Sequence, residues 1–271
     1  MFLTKFRKHI DAHAPLLGRA YRSLLDLSVN RKARPTSYGF ELAGSVWAAR
    51  ENYEREQVEV FLRLLDSHDV VLDIGANIGF YSCLAASRNK HVISFEPLPK
   101  NFSYLCKNLW NNNLSSNAEV FPLGLAKQSG LTPIYGSGTI ASLTPGWGQA
   151  QESRFILVPV AALDFLVGRF CGKKLLIKMD VEGFELDVLA GATATLDLAP
   201  KPTWLVEILL RHEVIPGGIN KRFLETFGLF WKHGYQSRTL DDRCARIEQE
   251  HVLRWIEQGS ADCENFMFFA P

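Results

Sequence analysis

The stretch VVLDIGANIGFYS, residues 70–82, decides the architecture. Val70–Ile74 is a short apolar run broken only by Asp73, and it reads as a strand buried on both faces. Gly75, Asn77 and Gly79 punctuate it, and Asn can stand where the backbone must turn left-handed. The residues around Ile78–Ser87 then read as a helix. The rhythm repeats outward. His91–Phe95 precedes a helix through Phe102, Leu105 and Leu109, and Val120–Leu123, Leu175–Met179 and Trp204–Leu209 are further runs. Tyr235–Thr239 and Asn265–Phe269 read as the last two strands, with a helical insertion between them. Such alternation predicts an α/β fold: a doubly wound, mostly parallel sheet with helices on both faces.

Residues 1–50 read as an N-terminal helical extension and 51–271 as one Rossmann-like domain. At its start, 51–66 reads as an amphipathic helix with Tyr53, Val60, Phe61 and Leu64 facing inward, and a second helix is expected over Phe184–Leu196. The stretch Leu125–Pro159, rich in Gly, Ser, Thr and Pro, breaks the rhythm. It reads as a long excursion near the active site, or as short strands. Its Tyr135 and Trp147 are candidates for stacking on a sugar ring.

Composition narrows the function. Thirty Lys and Arg against 29 Asp and Glu leave no strong field for nucleic acid. Five scattered cysteines without a CxxC pair suggest a reduced chain with packing thiols, and no apolar run is long enough to span a bilayer. The expected location is cytoplasmic. Residues 1–36 carry eight basic side chains against Asp11 and Asp26, with apolar residues near helical spacing, so a peripheral membrane contact is a second reading of that segment.

Four predicted strands end in a carboxylate: Asp73, Glu96, Asp180 and Glu207. Each alone could cap the next helix. Four on one rim, where open α/β sheets bind ligands, predict an acidic crevice suited to ribose hydroxyls and positive charge. S-adenosylmethionine offers both. A dinucleotide fingerprint would read GxGxxG, whereas this turn reads GxNxG. Its amides open onto a helix N-terminus that favours an anion, such as the methionine carboxylate. Asp73 would take the amino end, Glu96 would accept from both ribose hydroxyls, and Pro97 would stiffen the turn that holds it.

VVLDIGANIGFYS, SFEPLPKNFSYLCKNL and LLIKMDVEGFELDVLAGA, taken in this order, resemble the signatures of the FkbM family of methyltransferases over about residues 68–209. The resemblance implies a class I methyltransferase-like, seven-stranded sheet with an antiparallel strand near the end, and O-methylation of hydroxyls on sugars and natural products. It implies S-adenosyl-L-methionine as cofactor, bound by Asp73, Gly75, Asn77, Gly79 and Glu96. Ala76 and Pro97 complete the turn set. It further implies Lys178, Asp180, Glu182 and Gly183 as the fourth-strand motif.

A lysine in a central strand is costly unless paired or lining a cavity, and by alternation Lys178 shares a face with Asp180. Glu182 and Glu185 read as serving the start of the next helix. An alcohol acceptor needs a general base. Asp180 is the first candidate, followed by Glu207 and His212, with Lys178 beside them; no ligand spacing calls for a metal. The acceptor is expected to be a small molecule, a sugar or a lipid-linked saccharide. Two other readings stay open: an NAD-dependent oxidoreductase, and a non-catalytic protein that binds an adenosyl ligand.

Overall fold

The computed structural model describes residues 32–45, 48–50, 53–212 and 214–270. Most of the expected helical extension, and most of the basic segment 1–36, lies outside these residues. Its described part contains a short antiparallel pair, β1 (Arg34–Pro35) and β2 (Glu41–Leu42). The chain then runs through α1 (Arg55–Leu65), β3 (Val70–Ile74), α2 (Phe80–Ser87), β4 (His91–Phe95), α3 (Pro99–Asn111) and β5 (Ala118–Phe121). It continues with β6 (Gly124–Leu125), β7 (Gly130–Tyr135), β8 (Phe155–Ala161), β9 (Leu175–Met179), α4 (Glu185–Ala190), α5 (Thr193–Leu196) and β10 (Thr203–Glu207). The last elements are α6 (Phe223–Lys232), β11 (Gln236–Thr239), β12 (Arg246–Ile247), α7 (Gln249–Gln258) and β13 (Asn265–Phe269).

The main sheet has the order β12-β11-β13-β10-β9-β3-β4-β5. Neighbours from β10 to β5 are parallel, and β13 is antiparallel to both β10 and β11. This is the expected doubly wound, class I methyltransferase-like sheet of seven strands, extended at one edge by the two-residue β12. Strand order reverses between β3 and β9, which creates the crevice where such sheets bind ligands. All five residues of β3 and of β9 are buried, as their apolar runs require. Alternation sends Val70, Leu72 and Ile74 into one hydrophobic core and Val71 into the other. Asp73 pairs in register with Lys178, so the two share a face.

Two expectations change. Residues 124–161 contain the short strands given above as the alternative, a second sheet of order β6-β8-β7, and the irregular segment between β7 and β8 reaches the cavity described below through Gly138, Thr139 and Ser142. Pro133 and Pro159 hid these strands. They are tolerated because β7 is an edge and β6 meets β8 only at Val160 and Ala161. Helix α1 buries Phe61 as expected, together with Val58 and Leu65, and Tyr53, Val60 and Leu64 pack half-buried against the same core. The helix expected over Phe184–Leu196 divides into α4 and α5 at Gly191–Ala192, where the chain passes against the backbone of Ala126.

The β1–β2 pair is tied to α3 by two asparagines. Asn108 accepts from the Ala43 amide and donates to the carbonyls of Ala43 and Ile78. Asn112 accepts from the Glu41 amide and donates to its carbonyl. Among the described residues, no helix is long and apolar enough to cross a membrane.

Candidate active site

A cavity of about 390 Å³ opens at the strand-order reversal. Its walls include the 73–78 turn, Glu96, Pro97, Lys178, Asp180 and Glu182, together with Tyr53, Glu54 and Tyr81 from outside the strand ends.

The turn is shaped by three left-handed residues, Gly75, Asn77 and Gly79, with φ of 81°, 51° and 87°. At Gly75 a side chain is also sterically excluded, because an added Cβ would lie 1.9 Å from the Asp180 carbonyl oxygen. Close passage of the first turn against the end of β9 is therefore built into the sequence. The amides of Gly75 and Ala76 donate to the Phe95 carbonyl, and the amide of Asn77 donates to Glu96 Oε2 at 2.8 Å. These three donors secure the turn to β4, and the Gly79 amide donates to the Ala76 carbonyl, so none of the four is open to an anion. Gly79 does not line the cavity; it faces Leu105 of α3.

Glu96 is 5% exposed, and its second oxygen accepts from the Leu98 amide at 2.8 Å. Each oxygen thus carries one backbone donor and keeps capacity for another. Burial pushes its carboxyl up to about 7, against the stabilising amides of Leu98 and Asn77. Asp73 is 2% exposed and accepts from Ser82 Oγ, which also contacts Ser94 Oγ. Burial raises Asp73 to about 6, opposed by Ser82 and by the charge of Lys178.

Lys178 and Asp180 form an ion pair at 3.7 Å. The lysine is 3% exposed, and its Nζ has no hydrogen-bond partner. It lies 5.4 Å from the Tyr81 ring centroid. Burial opposes its charge, but Asp180, Glu54, Glu207 and Asp73 outweigh burial and hold the ammonium above the usual lysine range. Asp180 is half-buried; burial raises its carboxyl above the ordinary range, against the opposing charge of Lys178. Its backbone N–H donates to the Ile74 carbonyl, and the N-cap of α4 is Phe184, with no side-chain cap, so Asp180 does not cap that helix.

Glu185 serves the helix start, since it accepts from the Gly183 amide at 2.8 Å. Glu182 does not. It stands left-handed at φ 53°, lines the cavity and accepts from Trp147 Nε1 at 2.7 Å. Burial and then Asp180 push its carboxyl up to about 8. Glu207, at the end of β10, shares a small adjoining pocket with Asp180, Glu182, Glu185 and Trp147. Burial and then Asp180 raise it well above the carboxylate range.

His212 is exposed, lines neither pocket, and accepts the Val214 amide on Nδ1. Trp147 is 3% exposed and packs on Gly183, where an added Cβ would lie 2.2 Å from the ring. It lines the small adjoining pocket rather than the main cavity, and is not an open stacking platform. Tyr135 is half-buried and makes an edge contact with Phe155. Among the described residues, no group of three or more His, Cys, Asp or Glu side chains could hold a metal ion.

The strand-end reasoning did not reach Tyr53, Glu54 and Tyr81. The Tyr81 hydroxyl donates to Glu54 Oε2 at 2.7 Å. Burial and then Glu54 raise both phenols well above their ordinary range. Tyr81 could have been found, because it follows the turn directly. Glu54 carries no local signal; only tertiary packing brings it to the rim.

The model of the methyltransferase FkbM domain matches residues 73–237. Over 159 residues the chain is 29% identical to the hexuronic acid methyltransferase AglP of Haloferax volcanii, covering 56% of this chain and 62% of that relative. Over 95 residues it is 27% identical to a tRNA (guanine(37)-N(1))-methyltransferase of Drosophila melanogaster, covering 35% of this chain and 20% of that relative. Superposition on the crystal structure of methyltransferase FkbM from Methylobacillus flagellatus KT covers 74% of this chain and 44% of that one, at a TM-score of 0.44 and 19% identity. The chain spans less than two thirds of the length of each of these proteins. The family match begins at the carboxylate that ends β3 and runs through both strand-end motifs at the cavity and on into β11: the chain belongs to the FkbM methyltransferase domain family.

Proposed function

We propose that this chain transfers the methyl group of S-adenosylmethionine to a hydroxyl of a sugar or glycan. The observation that carries the reading is the convergence of Asp73, Glu96 and Asp180 on one cavity beside the 73–78 turn. That donor set fits the cofactor. Carboxylates suit ribose hydroxyls, an amino group and a sulfonium, and they oppose a polyanion such as pyrophosphate. Glu96, anchored by two amides, would accept from the ribose hydroxyls. Asp73, oriented by Ser82, would take the amino end, with Gly75, Ala76, Asn77 and Pro97 shaping the wall and Gly79 supporting the turn from behind. Residues 51–271 would act as one unit, with 1–50 as an extension.

When bound, the cofactor supplies an already activated methyl group, so the chain's task is to orient two reactants and exclude water. Asp180 would take the proton that the acceptor hydroxyl loses as its oxygen bonds to carbon. Lys178 favours the ionised form of Asp180 against burial and holds it in place, and Glu207 stands behind it. His212, exposed and outside both pockets, is left out of this scheme. A sugar acceptor agrees with the name of the Haloferax relative.

Calorimetric titration with S-adenosylhomocysteine and with NADH tests the assignment. S-adenosylhomocysteine is expected to bind, and Glu96→Gln is expected to weaken it by about 1–3 kcal/mol, the usual loss for a hydrogen bond to a charged group. Binding of NADH in its place would overturn the reading.

A further inference from the structure

Carboxyl groups outnumber basic side chains around the cavity: Glu54, Asp73, Glu96, Asp180 and Glu182 line it, against the single ammonium of Lys178 among the described residues. Asp73 and Glu96 stand at the ends of β3 and β4, on the side given above to the cofactor. Glu54 and Asp180 belong to the remaining wall.

Lys178 cannot turn that wall into an anion site. Its Nζ lies 3.7 Å from Asp180 Oδ2 and within the field of Glu54, Glu207 and Asp73. Yet this buried Nζ has no hydrogen-bond partner in the protein, so it offers donors that a neutral oxygen can fill. Glu54 adds to the excess from outside the matched family segment, which begins at residue 73. Its backbone is left-handed at φ 43°, ψ 41°, a conformation that strains a non-glycine residue. Tyr81 fixes its carboxylate through the 2.7 Å hydrogen bond.

We propose that Glu54 and Asp180 make the cavity select an uncharged polyhydroxyl acceptor, one oxygen of which takes the Lys178 donor, and reject a sugar bearing a carboxylate beside the reacting hydroxyl. The proposal rests on the methyl-transfer reading above. It sets this chain apart from the relative named for a hexuronic acid. The physical reason is like-charge repulsion at close range.

The test separates the saccharides of a source-cell extract by anion exchange into acidic and neutral pools. Each pool is incubated with the full chain and methyl-labelled S-adenosylmethionine. Label is expected to enter the neutral pool about tenfold faster or more, and Glu54→Gln is expected to narrow that ratio to about threefold or less. S-adenosylhomocysteine affinity should stay within about twofold in that variant, which shows that it folds. Glu54→Asp, which keeps the charge, should keep the ratio. Faster labelling of the acidic pool by the unaltered chain overturns the proposal. So does a ratio that Glu54→Gln leaves unchanged, or one that Glu54→Asp also abolishes. Absence of label from both pools, with S-adenosylhomocysteine still binding, would sink the transfer reading itself and this proposal with it.

Discussion

Asp180 sits where three influences meet: the ammonium of Lys178, the carboxylates around it, and the backbone of the first turn. Asparagine there keeps the shape and removes the proposed proton acceptor. Asp180→Asn is therefore expected to lower turnover by about 100-fold or more, with S-adenosylhomocysteine affinity within a few-fold of the unaltered chain. Steady-state kinetics paired with calorimetry checks this, and a fully active variant would remove Asp180 as base. At this scale the strand-end residues were legible, because a carboxylate that closes an apolar run can be located by counting. Asp73, Glu96 and Asp180 all reach the cavity, and Glu207 reaches the adjoining pocket. His212 was not legible in the same way. It follows β10 by several residues, and over that distance a loop can turn its side chain to solvent. Glu182 misled for a different reason. An acidic residue just before a helix ordinarily serves that helix, but its left-handed backbone turns it toward Trp147 and the cavity.

Elements were legible where one rule governed them. Strands β3, β4, β9 and β10 are buried on both faces and read as apolar runs. The second sheet was legible only as an alternative, because prolines in β7 and β8 mimic a loop and the strands depend on one another for their register. Helix α3 carries a comparable hidden task. Asn108 is fully buried in it and joins the β1–β2 pair and the turn at Ile78 through three hydrogen bonds. Asn108→Ala would leave two carbonyls and an amide without that partner, and should cost about 2–3 kcal/mol. Chemical denaturation of the variant checks the figure; a loss below about 0.5 kcal/mol would show that water replaces the side chain.

Over the whole molecule, the acidic rim links stability to pH. Burial raises Asp73 to about 6, Glu96 and Glu185 to about 7, and Glu182 to about 8. The folded chain therefore holds protons that the unfolded chain releases near pH 4. Their contribution is complete below that pH and is lost as pH rises through about 6 to 8. His68, lowered mainly by burial, acts in the opposite sense as a single group. Glu119 and Asp197, lowered mainly by their partners Arg169 and His233, have given their full contribution by about pH 5. The melting temperature of the unliganded protein should fall by roughly 5 °C or more between about pH 5 and pH 8.5. A rise over the same interval would mean that the carboxyls are ionised in the fold. A cationic ligand should offset the loss, because it favours the same ionised carboxylates that destabilise the empty cavity.

We propose, above all, that the crevice between β3 and β9 holds an adenosyl sulfonium. A crystal structure of the full chain grown with S-adenosylmethionine tests it most directly. The account predicts ribose hydroxyls within hydrogen-bond distance of Glu96, the nucleoside against the 73–78 turn, and the methyl group directed toward Asp180. A nucleoside bound away from that turn and from Glu96 would contradict it.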